Sequence, residues 1–187
     1  MRTATLLALT CLTFCGGCNK HRAEQESATE SSRPVHDWVT VKDVRVRLDR
    51  VTLGRVPMIR KNRKGETEQI QSDKPYLAVY FTVENLSEDR IIDRLFRSEP
   101  NVKLSDETGY EYRDVNLWDM DKTTLAVVRP LGQAESRISI YPTISFSDVI
   151  TFEPPNDSVQ NLKLSLPGSA VKVEGDFNFT IPASAWR

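Results

Sequence analysis

From Trp38 onward, apolar residues alternate with polar ones in short runs. Val39 and Val41 alternate, then Val44, Val46 and Leu48, then Val51 and Leu53. A period of two marks a half-buried β-strand. The parity changes at Lys42–Asp43 and again at Asp49–Arg50. One extra residue moves every later side chain to the opposite face, so each change predicts a break or a bulge. The pattern predicts one long bent strand, or two strands, ending at Gly54. Val56 to Ile70 surrounds Asn62-Arg63-Lys64-Gly65, where Gly65 suits the positive φ of a turn. A solvent-exposed hairpin or loop is expected there. Tyr76 to Glu84 is apolar at almost every position, which predicts a central strand covered on both sides.

Shorter strand signals follow at Ile91–Ile92, Val102–Leu104, Tyr110–Tyr112, Ile138–Tyr141, Asp148–Phe152, Leu162–Leu166 and Phe177–Ile181. Asp106-Glu107-Thr108-Gly109 is a turn signal joining two of them. Leu117 to Val127 lacks strand or turn logic and is read as a helical turn or a loop. Pro154 and Pro155 must lie outside any central strand. Short strands separated by turns predict an all-β domain, an immunoglobulin-like antiparallel β-sandwich of seven to nine strands, over residues 38–187.

The N-terminus follows different rules. Arg2 is the only charge before Lys20, and Ala4 to Phe14 is an apolar run too short to span a bilayer. A positive start, an apolar stretch and small residues near a cleavage point make a secretory signal, here residues 1–18. Gly16-Gly17-Cys18 resembles the bacterial lipobox, although Cys15 stands where that pattern usually has leucine. The resemblance implies cleavage before Cys18 and diacylglycerol on its thiol, so Cys18 is the expected lipidation site. The alternative is an ordinary signal cut nearby. Two or more acyl chains hold a protein stably on a membrane, at about 0.8 kcal/mol per buried methylene.

Residues 19–37 are polar and contain Glu24, Gln25, Glu26, Ser27, Glu30, Ser31, Ser32 and Pro34. Such a segment buries too little surface to offset chain entropy, so a disordered tether is expected. A flexible coil of that length spans on the order of 25 Å.

Composition narrows the chemistry. The three cysteines, Cys11, Cys15 and Cys18, all lie in the signal region, and His21 and His36 lie in or beside the tether. The domain therefore has neither disulfide nor histidine. Arg2 leaves with the signal, so 24 basic side chains face 26 acidic ones, and no global field attracts nucleic acid. No G-x-S-x-G, H-E-x-x-H or phosphate-binding glycine loop occurs, and no cofactor signature is present.

Two weaker constellations remain. Arg60, Lys61, Arg63 and Lys64 would offer an anionic surface a basic patch, or simply form a solvated hairpin tip diluted by Glu66 and Glu68. Asp114, Trp118, Asp119 and Asp121 would form the rim of a ligand or ion site in the irregular segment. Their spacing is not that of an EF-hand, and Trp118 is equally read as packing. Asn85, Asn156 and Asn178 begin Asn-x-Ser/Thr triplets, which chance explains in a bacterial lipoprotein.

A family resemblance joins these readings. Tyr76-Leu77-Ala78-Val79-Tyr80-Phe81-Thr82-Val83-Glu84-Asn85 precedes Asp106-Glu107-Thr108-Gly109-Tyr110-Glu111-Tyr112, and Phe152-Glu153-Pro154-Pro155 follows. This layout, over roughly residues 40–182, resembles the uncharacterised immunoglobulin-like domains of bacterial envelope lipoproteins, which are similar to the secreted immunoprotective-antigen superfold. The resemblance implies a fold and an address but no catalytic residues. The leading expectation is a lipid-anchored interaction or structural module of the cell envelope, with the membrane and an envelope protein as partners. Two alternatives stand beside it: a small-ligand or ion-binding lipoprotein, and a carboxylate-dependent hydrolase of envelope polymers.

Overall fold

The computed structural model describes residues 37–93, 96, 102–120, 126–134 and 138–187. Cys18, residues 19–36 of the expected tether, both histidines and Asp121 lie outside them. The described residues form ten strands and no α-helix. In chain order these are β1 (Val39–Val41), β2 (Val44–Lys61), β3 (Thr67–Asn85), β4 (Lys103–Asp106) and β5 (Glu111–Tyr112). Then come β6 (Asp119–Met120), β7 (Val127–Pro130), β8 (Ser145–Phe152), β9 (Asn161–Pro167) and β10 (Asp176–Pro182). Ten exceeds the expected seven to nine; seven have four or more residues, and β1, β5 and β6 are only two or three residues long.

The strands pair antiparallel throughout. One sheet runs β6-β7-β2-β3-β8, with β1 also on β2; the other runs β10-β9-β4-β5. Val46, Leu48, Val79, Phe81 and Val83 from the first meet Leu104, Leu162, Leu164, Phe177 and Ile181 from the second in one buried core. Phe96 links them, edge-on to both Phe81 and Phe177. The fold is an antiparallel β-sandwich, as the alternation predicts.

The parity changes have their expected physical causes. At Lys42–Asp43 the chain turns between β1 and β2, with Lys42 at φ +53°. At Asp49 the β2–β3 register slips by one residue, a bulge that leaves both Asp49 and Arg50 on the outer face. The expected stop at Gly54 does not occur. Gly54 takes φ +151°, which side-chain residues rarely adopt, and β2 continues to Lys61. Its continuation is held by burial of Val56 and Met58.

Near Val56 the hairpin bends. Three residues of β3, Ser72 to Lys74, oppose Val56 alone. The buried Ser72 hydroxyl accepts the Val56 N–H at 2.9 Å and donates to the Lys74 carbonyl at 2.7 Å, replacing the lost ladder bonds. Val56 and Met58 join Ala78, Tyr80 and Val149 in a second, smaller apolar cluster. So Val56–Ile70 is a hairpin as expected, but only its tip is exposed; its root is buried. Residues 77–83 of β3 are buried throughout, so the prediction of a strand covered on both sides holds.

The Asp106 turn also has a specific mechanism. Its Oδ1 accepts the Thr108 N–H, the Thr108 hydroxyl and the Tyr110 N–H at 2.8, 2.6 and 3.1 Å, and its Oδ2 accepts the Tyr112 hydroxyl at 2.9 Å. The Thr108 hydroxyl, with help from Tyr112 and the backbone, holds the Asp106 carboxyl below its ordinary range. Burial, then the bond to Asp106, pushes the Tyr112 phenol up to about 12. A carboxylate depressed in the folded state stabilises fully above its unfolded pKa and loses that effect as pH falls through the folded one. Asp106→Asn is therefore expected to be less stable than the parent at pH 7. The gap in urea midpoint should close as pH falls below about 4; a gap constant down to pH 2 would contradict the assignment.

Candidate functional site

Two surfaces stand out on the sandwich. The first lies where β3 ends. Asn85 is fully buried there. Its Nδ2 donates to the Arg90 and Ile140 carbonyls at 2.6 and 3.0 Å, and its Oδ1 accepts the Ser87 N–H and hydroxyl at 3.1 and 2.8 Å. Its backbone N–H reaches the Ile144 carbonyl, and its carbonyl accepts the Thr143 N–H. Ile92 and Ile140 exchange backbone bonds at 3.1 and 2.7 Å. Arg90 forks onto Asp43 through Nε and Nη2, and its Nη1 donates to the Val171 and Lys172 carbonyls. One asparagine and one arginine thus fasten four separate segments into a rigid end.

That end is apolar on its outside. Leu86, Ile91, Tyr141 and Ile144 project from it, each between 40 and 58% exposed. They are four of the six large hydrophobic residues exposed among the described residues; Tyr110 and Trp118 lie elsewhere. Ile91 and Tyr141 are brought together by the Ile92–Ile140 bridge beside them. Glu88 and Asp89 stand exposed in the adjoining turn. Among the described residues neither forms an ion pair. Four exposed apolar residues thus stand on segments joined by Asn85 and the Ile92–Ile140 bridge, with two exposed carboxylates in the adjoining turn.

The second surface is the outer face of the large sheet, beside the folded-over hairpin. Arg45 forks onto Glu84 at 2.8 and 2.7 Å, and Arg47 onto Asp49 at 3.0 and 2.9 Å. Both guanidiniums also lie against the Trp38 ring, at 4.4 and 4.8 Å from its centroid. Arg50 lies 3.9 Å over the Tyr80 ring. Burial raises the Tyr80 phenol above its ordinary value, and the Arg50 charge opposes that rise. The Thr82 hydroxyl contacts Asp49 Oδ2 at 2.5 Å and the Ser147 hydroxyl at 2.9 Å.

The residues singled out from the sequence are placed differently. Arg60, Lys61, Arg63 and Lys64 do sit together at the hairpin tip. Arg60 pairs with Glu68 at 3.2 Å, and Asn62 shapes the turn by accepting the Lys64 and Glu66 N–H groups. Asp114, Trp118 and Asp119 are all exposed. Asp114 forms a bridge with Phe152 of β8, whereas Asp119 pairs with Val128 of β7, so two separate strands take them up. Between them Leu117 packs on the second apolar cluster. Among the described residues no three His, Cys, Asp or Glu side chains gather to hold a metal, and no helix is long and apolar enough to cross a membrane. Asn85 begins an Asn-x-Ser triplet, yet its amide is wholly engaged inside the fold.

No family model matches the chain, and no curated protein matches it. Among solved structures, the crystal structure of the yjhA protein from Bacillus subtilis superposes with a TM-score of 0.50. The match spans 80% of this chain and 97% of that one, at 14% identity. The two proteins share a fold. At that identity the likeness to yjhA concerns architecture alone.

Proposed function

We propose that this protein is a membrane-tethered interaction module of the cell envelope, anchored through lipid on Cys18 and docking a partner protein through its apolar end. The observation that carries the reading is the gathering of Leu86, Ile91, Tyr141 and Ile144 on one hydrogen-bonded end. Exposed apolar groups scattered singly are normal, whereas a contiguous cluster marks an interaction surface. The rigid backing favours binding, because little loop entropy is lost when the partner arrives. Glu88 and Asp89, which have no ion-pair partner among the described residues, favour a partner whose apolar contact is ringed by lysine or arginine. The same charges disfavour an anionic lipid surface as the occupant.

A photo-crosslinking amino acid at Tyr141, in cells making the full chain, tests this. The expected result is a discrete adduct with a second protein, absent when the same group stands at Arg63. Adducts of equal yield at both positions, or adducts with lipid or a second copy of the chain only, would overturn the reading.

A further inference from the structure

The outer face of the large sheet points to a ligand of a different kind, and does so independently of the apolar end. Arg45, Arg47 and Arg50 stand along one side of β2 because the bulge at Asp49 returns Arg50 to the face that plain alternation would deny it. Alternate residues on a strand lie about 7 Å apart, so the guanidiniums form a row rather than a cage.

Their charges are not equivalent. Glu84 neutralises Arg45 and Asp49 neutralises Arg47, each through Nε and Nη2. That leaves the Nη1 group of both without an acceptor among the described residues. Arg50 is exposed and has no carboxylate partner among them. Its guanidinium lies 3.9 Å from the Tyr80 ring centroid and also hydrogen-bonds the Tyr80 hydroxyl, which holds it in place while the residue stays exposed. A guanidinium carries five N–H donors, so one bond to the phenol leaves donors for a carboxylate, which such a planar group suits.

The rest of the face supplies groups of the opposite kind. Asp49 and Glu84 are acceptors, and the exposed Ser147 hydroxyl, bonded to Thr82, both donates and accepts. Such a surface repels a bare polyanion at two points but satisfies a chain that alternates acid groups with hydroxyls. We propose that this face binds an acidic polysaccharide laid along β2, with a sugar carboxylate on Arg50 and sugar hydroxyls on Asp49, Glu84 and Ser147. Groups spaced in a row along a strand fit an extended chain better than a single small anion, which one convergent site would hold.

The test is titration of the mature protein in detergent with polygalacturonate fragments, at low and high salt, beside neutral dextran, polyphosphate and vesicles of anionic lipid. Polygalacturonate should bind and dextran should not. Arg50→Gln should weaken binding about tenfold with an unchanged melting temperature, and Arg50→Lys should recover part of the loss, since charge returns without the fork. Removing Arg63 and Lys64 at the hairpin tip should leave binding as it was. The proposal is overturned if polygalacturonate does not bind or if Arg50→Gln binds as the parent does. It is equally overturned if polyphosphate or anionic vesicles bind through Arg50 as tightly as the saccharide. Adduct formation at Tyr141 should be unaffected by Arg50→Gln, so this proposal and the docking role of the apolar end fail or stand separately.

Discussion

Asn85→Ala is expected to lower the unfolding free energy by about 3–5 kcal/mol. The side chain is fully buried and makes four hydrogen bonds. Its removal leaves the Ser87 N–H without an acceptor in a buried site and takes one of two donors from each of the Arg90 and Ile140 carbonyls, which keep the Ser87 hydroxyl and the Ile92 N–H. Each unmet buried group costs about 1–3 kcal/mol, and the truncated residue also leaves a void. For a domain of this size each kcal/mol moves Tm by about 2–4 °C, so a fall on the order of 10 °C should be seen by calorimetry. Asn85→Asp should do comparable damage, because the amide donors vanish and a charge is buried among carbonyls. A variant that melts within a degree or two of the parent would show that the end is not held as described.

The second large effect concerns binding rather than stability. Ile91→Asp with Ile144→Asp should abolish the heterologous adduct formed from Tyr141. Each side chain is about half exposed, so burying the remainder is worth about 1 kcal/mol. Replacing it with a carboxylate adds the cost of desolvating a charge. Together the changes should weaken docking about a hundredfold or more. Both positions are half exposed, so the melting temperature should fall less than for Asn85→Ala, and the variant should remain folded at the assay temperature. An adduct of undiminished yield in the folded double variant would exclude the apolar end as the contact.

Much of the fold is legible along the chain, for a physical reason. Strand faces are set by a period of two, so the slip at Asp49–Arg50 announces itself as a parity change without any knowledge of the partner strand. The Asp106 turn is equally local, since one carboxylate gathers donors within six residues of itself. What escapes the sequence is decided by pairing between distant segments. β2 passes Gly54 because Val56 and Met58 find Ala78, Tyr80 and Val149 to cover. β7 holds four residues and exists through its ladder to β2, so Val127–Pro130 carries too short a pattern to be read as a strand.

The candidate surfaces were hidden for the same reason. Arg50 meets Tyr80 only through the β2–β3 register. The apolar end assembles Leu86 and Ile91 with Tyr141 and Ile144, some fifty residues further on, through Asn85 and the Ile92–Ile140 bridge. A signal was nonetheless present: large apolar residues inside turn-rich stretches, where no strand face buries them. By contrast the basic hairpin was visible as a charge run and folds into a turn tip with partial pairing to Glu68. The aspartates near Trp118 were visible as a cluster in sequence, but separate strands take up Asp114 and Asp119.

The proposed anchor would tie these surfaces to a place. A lipid on Cys18 would hold the sandwich near the membrane. Intact-mass measurement of the protein extracted from membranes, beside a Cys18→Ala variant, tests this most directly. The account predicts a mature chain that begins at Cys18 and carries the mass of a diacylglyceryl group, with Cys18→Ala lost from the membrane fraction. An unmodified chain cut at another position, or a Cys18→Ala protein that still fractionates with membranes, would contradict it.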